Sequence, residues 1–453
     1  MTHRRRLPRS RRLLAPALAL LLAGLSGCAG TDDAGGTNAD TSCTPAEGEV
    51  TLEYWSWVPG MQQAVDLWNR QHPDIRVKLR TTPAGNAGAY QKLSNALKAD
   101  EAPDLGQVEY DSLANFRLKQ GLRDIAACEP VQRAEAEFVD WTWSQVTFGE
   151  GGEDGVWAIP QDTGPMALFY RKDVFDRLGL EPPATWQEYE AAARTVQKAD
   201  GDRYLTHFSQ TDPNWFAGLL WQNGAEMFQR KEDTWKVTVD RPESRRVAEF
   251  WQGLIDDELV ATDLQGFSPA LYKAWNSGEV VTWIGAAWGY STIRDNAGKT
   301  AGSWAVAPMP QWSEGQQRAG NWGGSTTAVL AGTEHPHEAA QFATWLNTDP
   351  QALRILNREG GLYPAATAGL ELPALQKPVD FYDGQKIFDV FARASRNVDT
   401  EFTWGPTMTD TYRHLSDGTS AVTGGEKTLG DVLAETDRRT AESLREQSLN
   451  VAD

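Results

Sequence analysis

Hydrophobic positions along this chain fall into two periods. In "IRVKLR", Ile75, Val77 and Leu79 alternate with Arg76, Lys78 and Arg80, the two-residue period of a half-buried strand. "VTLEYWSW", residues 50–57, is β-branched and aromatic and also predicts a strand. Between them, "MQQAVDLWNRQHP" sets Val65 and Trp68 at helical spacing and stops before Pro73. "AYQKLSNALKAD" stacks Ala89, Leu93 and Leu97 on one helical face, "PDLGQVEY" predicts a short strand, and "SLANFRLKQ" a helix ending at Gly121. The order βαβαβα predicts an α/β domain with a sheet between layers of helices.

The pattern continues past the first third. "VWAIP" and "MALFYRKD" predict strands around a turn at Gly164-Pro165, and "DVFDRLG" a helix with Gly179 as its C-terminal stop. Thr185 and Glu188 have capping-box spacing for a helix running toward Lys198. "RRVAEFWQGLIDD" puts Val247, Phe250, Trp251 and Leu254 on one face. "HEAAQFATWLN" and "LGDVLAETDRRTAESLREQ" predict later helices. No repeat or long low-complexity block interrupts residues 50–448, which suit two interleaved lobes better than one core.

The N-terminus follows other rules. "MTHRRRLPRSRR" carries six arginines and no acid, and residues 13–25 are almost wholly apolar. Thirteen residues are too few to span a hydrocarbon core, which needs about 20, but they fit a secretory signal. Leu25-Ser26-Gly27-Cys28 resembles the lipobox of bacterial lipoproteins, which implies acylation at Cys28 and anchoring to the outer face of the cell membrane. "SRRLL" resembles a twin-arginine signal and leaves the export route open between unfolded and folded passage. Residues 1–27 are thus expected to be a signal peptide. Residues 28–49, small and polar, are expected to be a tether. Cys43 and Cys128 are then the remaining thiols, and an oxidising compartment makes them a candidate disulfide. Losing the leader's six arginines takes the formal charge from −19 to −25, which disfavours nucleic acid and anionic membrane surfaces as partners.

Several landmarks now line up in order. "VTLEYWSW" with "LWNRQHPDIRV" resembles an opening strand and a helix ending in a Pro-x-Ile-x-Val pattern. "ADEAPDLGQVEY" resembles a Gly-x-x-Pro-Asp-Val segment, with Glu101 in place of glycine. "VWAIPQDTGPMALFYRKDVFDRLGLEPPATWQEYEAAA" resembles the most diagnostic block, with Arg171 in place of asparagine. "AWNSGEVVTWIGAAW", "WAVAPMPQW" and "GNWGGSTTAVLAGTEHPHEAAQFATWL" complete the series. The set resembles the sugar-binding branch of the extracellular solute-binding proteins of ABC importers. The resemblance implies a periplasmic-binding-protein type II fold, two α/β lobes joined by a hinge with a ligand cleft between. It places residues 50–162 and 302–333 in one lobe, and 163–301 and 334–453 in the other. It also implies a monomer that closes on its ligand, docks on transmembrane permease subunits, touches the membrane through its lipid alone and needs no cofactor.

Composition supports a carbohydrate independently. There are 19 tryptophans against 15 phenylalanines, although tryptophan is ordinarily the scarcest aromatic. A pyranose offers an apolar C–H face to indoles and an equator of hydroxyls to carboxylates, amides and arginine. Trp68, Trp186, Trp251 and Trp345 sit in helical patterns and read as core. Trp288, after Gly285-Ala286-Ala287, matches the family's ligand-facing tryptophan. Trp322 precedes Gly323-Gly324, and at Gly324 bare backbone can approach a ligand. Trp55 or Trp57 ends the first strand and only one of them can face the cleft; Trp57 is taken as the candidate. Trp404 in "FTWGP" and Trp215 in "DPNWF" are further candidates. For hydroxyls the resemblance points to Asp162 in "PQDTG", Glu109 and Asp111 after the "PDLGQV" strand, and then Asn214, Tyr363 in "GGLYPA" and Arg396.

Rival functions find less support. A glycoside hydrolase needs two carboxylates, but 62 acids make any pair unspecific. There is no Gly-x-Ser-x-Gly elbow and no His-Glu-x-x-His. "HPHEAA" brings His335 and His337 together without further ligands, so no metal site is expected. "NAGKT" has Ile293 where a P-loop needs its first glycine, and "GEGGEDG" has Asp154 where a dinucleotide motif needs its third. The expectation is a binding protein and not an enzyme. The alternative solute is a polyamine or peptide.

Overall fold

The computed structural model describes residues 43–85, 88–150 and 153–452. The expected signal peptide, Cys28 and all of the tether before Cys43 lie outside the described residues. The first sheet has five strands in the order Ile75–Thr81, Val50–Ser56, Leu105–Glu109, Ser325–Val329, Ala158–Pro160. The first three are parallel, while Ser325–Val329 runs antiparallel to both of its neighbours. Along Val50–Ser56, Leu52 and Tyr54 are buried while Thr51 and Glu53 are exposed, so the pleat sorts the side chains by polarity. The helix Met61–Gln71 supplies the crossover and buries Met61, Ala64, Val65 and Trp68 on one face. Trp68 Nε1 donates to the Ile75 carbonyl at 2.8 Å, joining the helix to the strand that follows.

The second sheet is antiparallel, with Met166–Arg171 between Thr282–Ala286 and Trp304–Pro308. Met166, Ala167, Leu168 and Phe169 are all buried, as a central strand covered on both faces requires. The helix Ile387–Arg396 covers it, with Phe391 against Phe169 at 5.7 Å between ring centroids. The predicted caps form. Thr185 and Glu188 make both bonds of a capping box, and Gly179 ends its helix at φ 66°.

The lobe boundaries implied by the resemblance need correction. Trp304–Pro308, expected with the first sheet, is an edge strand of the second. The helices Pro336–Thr348 and Pro350–Gly360, expected with the second, pack on the first sheet and on Met61–Gln71. The reason is a matching set of rings. Phe342 meets Tyr54 and Trp68 at 5.8 and 5.3 Å, and Trp345 meets Trp68 at 5.1 Å. The chain passes between the sheets near residues 160–166, 319–325 and 361–366. These passages bond to one another: Gly164 N–H donates to Asn321 Oδ1, Met166 N–H to the Gly320 carbonyl, and Thr163 N–H to the Tyr363 carbonyl.

Cys43 and Cys128 are joined by a disulfide, with their Cα atoms 5.0 Å apart. Nearby, Ala46 N–H donates to Glu338 Oε1 at 2.7 Å, so the start of the described chain is fixed twice.

Candidate ligand-binding site

Four acids converge where the two sheets meet. Glu109 closes the strand Leu105–Glu109, and Asp111 lies in the first turn of the helix Tyr110–Leu118 that follows at once. Asp162 belongs to the first passage. Asp212 caps the helix Pro213–Gln222, accepting from Trp215 N–H at 3.2 Å. Hydroxyl, amide, indole and backbone donors address these carboxyls. Glu109 Oε2 accepts from the Tyr90 hydroxyl at 2.8 Å, and Asp111 Oδ2 from Asn214 Nδ2 at 2.8 Å. Asp162 Oδ1 accepts from Ser325 N–H at 2.8 Å and Ser325 Oγ at 2.6 Å. The Trp322 indole donates toward Asp212.

Burial sets their electrostatics. Desolvation, then the charges of Asp111, Asp162 and Asp212, push Glu109 up to about 8 against the opposing Tyr90 bond. Desolvation raises Asp212 to about 7 and, against the two Ser325 bonds, Asp162 to about 6. Asp111 is raised for the same reason, with Ser112 and Asn214 working the other way. Such a cluster holds protons near neutrality and offers strong acceptor sites to any donor that enters.

Aromatic faces flank the acids. Trp288 precedes the helix Gly289–Asn296 and donates its Nε1 to the Trp322 carbonyl at 3.0 Å, the two rings meeting edge to face at 4.9 Å. A Cβ on Gly164 would lie 1.9 Å from that carbonyl oxygen, so the first passage needs glycine there. Gly324, at φ 98°, sits where a Cβ would press Asp162 O at 2.9 Å and the Tyr110 ring at 3.0 Å. Trp57 meets Tyr90 edge to face at 6.1 Å. Trp55 is engaged elsewhere, with Arg80 over its ring at 4.5 Å and its Nε1 bonded to Glu53. Trp404 meets Tyr412 at 6.4 Å, and Tyr412 in turn feels the charges of Asp111, Glu109 and Asp212.

The structure therefore links Glu109, Asp111, Asn214 and Trp57 in one chain of contacts, and Trp288 with Trp322 in another that reaches Asp212. It gives other candidates different surroundings. Trp215 is buried against Trp251 at 5.0 Å, with its Nε1 on the Ile284 carbonyl, a framework role. Tyr363 is 2 % exposed and stacks on Phe388, while its carbonyl braces the passage at Thr163. Arg396 is exposed at the end of its helix, and its charge reaches Tyr363. Sequence reasoning missed Tyr90, Asp212, Phe267 and Tyr412. The only signal for Asp212 was an Asp-Pro helix start, which reads equally well as a cap. A separate groove of about 1100 Å³, walled by Trp186, Trp312, Arg246 and Arg318, contains none of the expected residues.

Residues 54–353 match the family described as bacterial extracellular solute-binding protein. Among curated proteins, the chain is 26 % identical over 357 residues to an arabinooligosaccharide-binding protein of Halalkalibacterium halodurans, covering 76 % of this chain and 78 % of that one. Among solved structures it resembles the galacto-N-biose/lacto-N-biose I-binding protein of an ABC transporter from Bifidobacterium longum, in complex with lacto-N-biose. There the TM-score is 0.80 at 28 % identity, over 90 % of this chain and 100 % of that one. An ABC transporter-associated binding protein of B. animalis subsp. lactis, in complex with β-1,6-galactobiose, gives 0.77 at 26 % identity, over 89 % and 100 %.

Proposed function

The chain belongs to the bacterial extracellular solute-binding proteins, and from that premise we propose that it captures a sugar or oligosaccharide and delivers it unaltered to the permease of an ABC importer. The observation that carries the reading is the meeting of four desolvated carboxyls with the indoles of Trp288, Trp322 and Trp57. Carboxylates accept from sugar hydroxyls while indole faces cover the C–H surface, and neither action breaks a bond. Glu109, Asp111, Asp162 and Asn214 are the proposed hydroxyl partners. Trp215 and Tyr363 hold the frame. The two lobes are proposed to part at residues 160–166, 319–325 and 361–366. The protein acts as a monomer without a cofactor, held to the outer face of the membrane by acylation at Cys28.

The test is a glycan panel read by tryptophan fluorescence and thermal stabilisation, with reducing ends assayed in parallel. Saturable binding without release of reducing ends supports the proposal, and catalytic turnover overturns it. The cluster of acids also suits a polyamine, so spermidine belongs in the panel. Stabilisation by spermidine and by no sugar would replace carbohydrate with that class.

A further inference from the structure

Behind Trp322 lies a small cavity that Asp212, one of the four acids, borders. It is about 10 Å³, room for one water-sized group. Three polar atoms of its lining residues have no hydrogen-bond partner among the described residues: His207 Nδ1, Ser209 Oγ and Trp275 Nε1. Those residues are 3 %, 6 % and 0 % exposed. Buried polar groups left bare cost free energy, and native structures fill such places with a partner. Asp212 supplies a further polar wall. A Cβ on Gly266 would lie 3.1 Å from Ser209 Oγ and 3.7 Å from Asp212 Oδ2, so both oxygens border the same spot and glycine keeps it clear.

The other walls are aromatic, formed by Phe267, Trp283 and Trp322. Phe267 is 46 % exposed, the one large apolar side chain so exposed among the described residues. Its φ of 54° is a left-handed backbone that a bulky residue rarely adopts. Strain of that kind persists where surrounding structure imposes it, and it gathers at ligand sites. Here it holds a ring beside the cavity, 5.8 Å from Trp322 and 5.9 Å from Trp288 between centroids.

We propose that this cavity is a specificity subsite for the exocyclic hydroxymethyl arm of a hexopyranose, with the hydroxyl alone taking the water-sized space among Ser209, Trp275 and Asp212 and the methylene remaining at its mouth against Phe267 and Trp322. The inference rests on the carbohydrate reading above. The chemistry matches in donors and acceptors. An indole N–H only donates, a carboxylate only accepts, and a hydroxyl does both. Burial lowers His207 to about 4, so its ring is neutral at physiological pH and adds no charge. Above about pH 7, where Asp212 is ionised, a uronic acid would bring a second carboxylate against it and is disfavoured. A pentopyranose lacks the arm and leaves the polar wall bare.

The test is calorimetric titration of the protein with matched ligands: β-1,4-glucobiose against β-1,4-xylobiose, and lactose against its 6-deoxy and 6′-deoxy forms. In any pair that binds, the arm-bearing sugar should bind at least about tenfold tighter, the scale of losing a hydroxyl from a site built to bond it. Ser209→Ala should narrow that gap while leaving the thermal midpoint of the unliganded protein within about 2 °C. Equal binding within a pair would show that ordered water alone fills the cavity, and would overturn the inference while the carbohydrate reading stands. If no sugar of the panel in the preceding section binds, that reading fails and this inference with it.

Discussion

Replacing Glu109 by Gln should stabilise the unliganded protein, and increasingly so as pH rises. The Glu109 carboxyl is pushed from an ordinary 4.5 up to about 8, by burial first and by neighbouring acids second. A group raised in this way costs nothing while folded and unfolded chains both hold the proton. Its cost appears as pH passes 4.5 and is complete above about 8, so wild-type stability is lost across that window. At about 1.4 kcal/mol per tenfold in proton affinity, the full cost is roughly 5 kcal/mol. Asp111, Asp162 and Asp212 ionise more readily once that charge is gone, so the substitution should recover at least on the order of 2 kcal/mol. Gln keeps an oxygen for the Tyr90 hydroxyl, so the 2.8 Å bond survives. The assay is urea unfolding of both proteins at pH 5 and pH 8. The variant's advantage should be under about 1 kcal/mol at pH 5 and about 2 kcal/mol at pH 8. An advantage that does not change with pH, or a loss at pH 8, would refute the reasoning. With Glu109 as a proposed hydroxyl partner, the same variant should bind sugar more weakly above about pH 8, where the wild-type carboxyl is ionised and accepts most strongly.

Other expectations are simpler. Trp288→Ala should lower sugar affinity about tenfold in a fluorescence titration, and undiminished affinity would remove Trp288 from the site. Gly164→Ala should destabilise by about 3 kcal/mol, because its methyl would displace the Trp322 carbonyl that Trp288 bonds. Gly253→Ala, in a helix with nothing within 4 Å of the new methyl, is the control and should be neutral or stabilising by thermal melt. Cys43→Ser should cost about 2–4 kcal/mol in denaturant, and wild type under reductant should lose the same amount.

Local signals in the sequence were faithful wherever one element decided the outcome. The alternation in "IRVKLR", the box at Thr185 and Glu188, and the stop at Gly179 all reappear in the structure, since each depends on residues within one turn or one pleat. The helix Pro336–Thr348 shows where that ends. Its pattern announces a buried face without naming the sheet it meets, and the rings of Tyr54 and Trp68 decide that from nearly 300 positions away. The acids divide similarly. Glu109, Asp111 and Asp162 could be picked because they flank strands with recognisable surroundings. Asp212 and Tyr412 act through partners that only the folded chain brings near. Tryptophan number pointed toward carbohydrate, but the count could not separate Trp57, beside Tyr90, from Trp55, beneath Arg80.

The strand Ser325–Val329 lies inside the first sheet, yet it is the last of the five in chain order. During synthesis, the N-terminal portion must therefore wait with an open seam between Leu105–Glu109 and Ala158–Pro160 until more than two thirds of the polypeptide has left the ribosome. Closing such distant partners is slow in general. A translocation channel that threads extended polypeptide would meet a nascent molecule whose earliest segments have not yet locked.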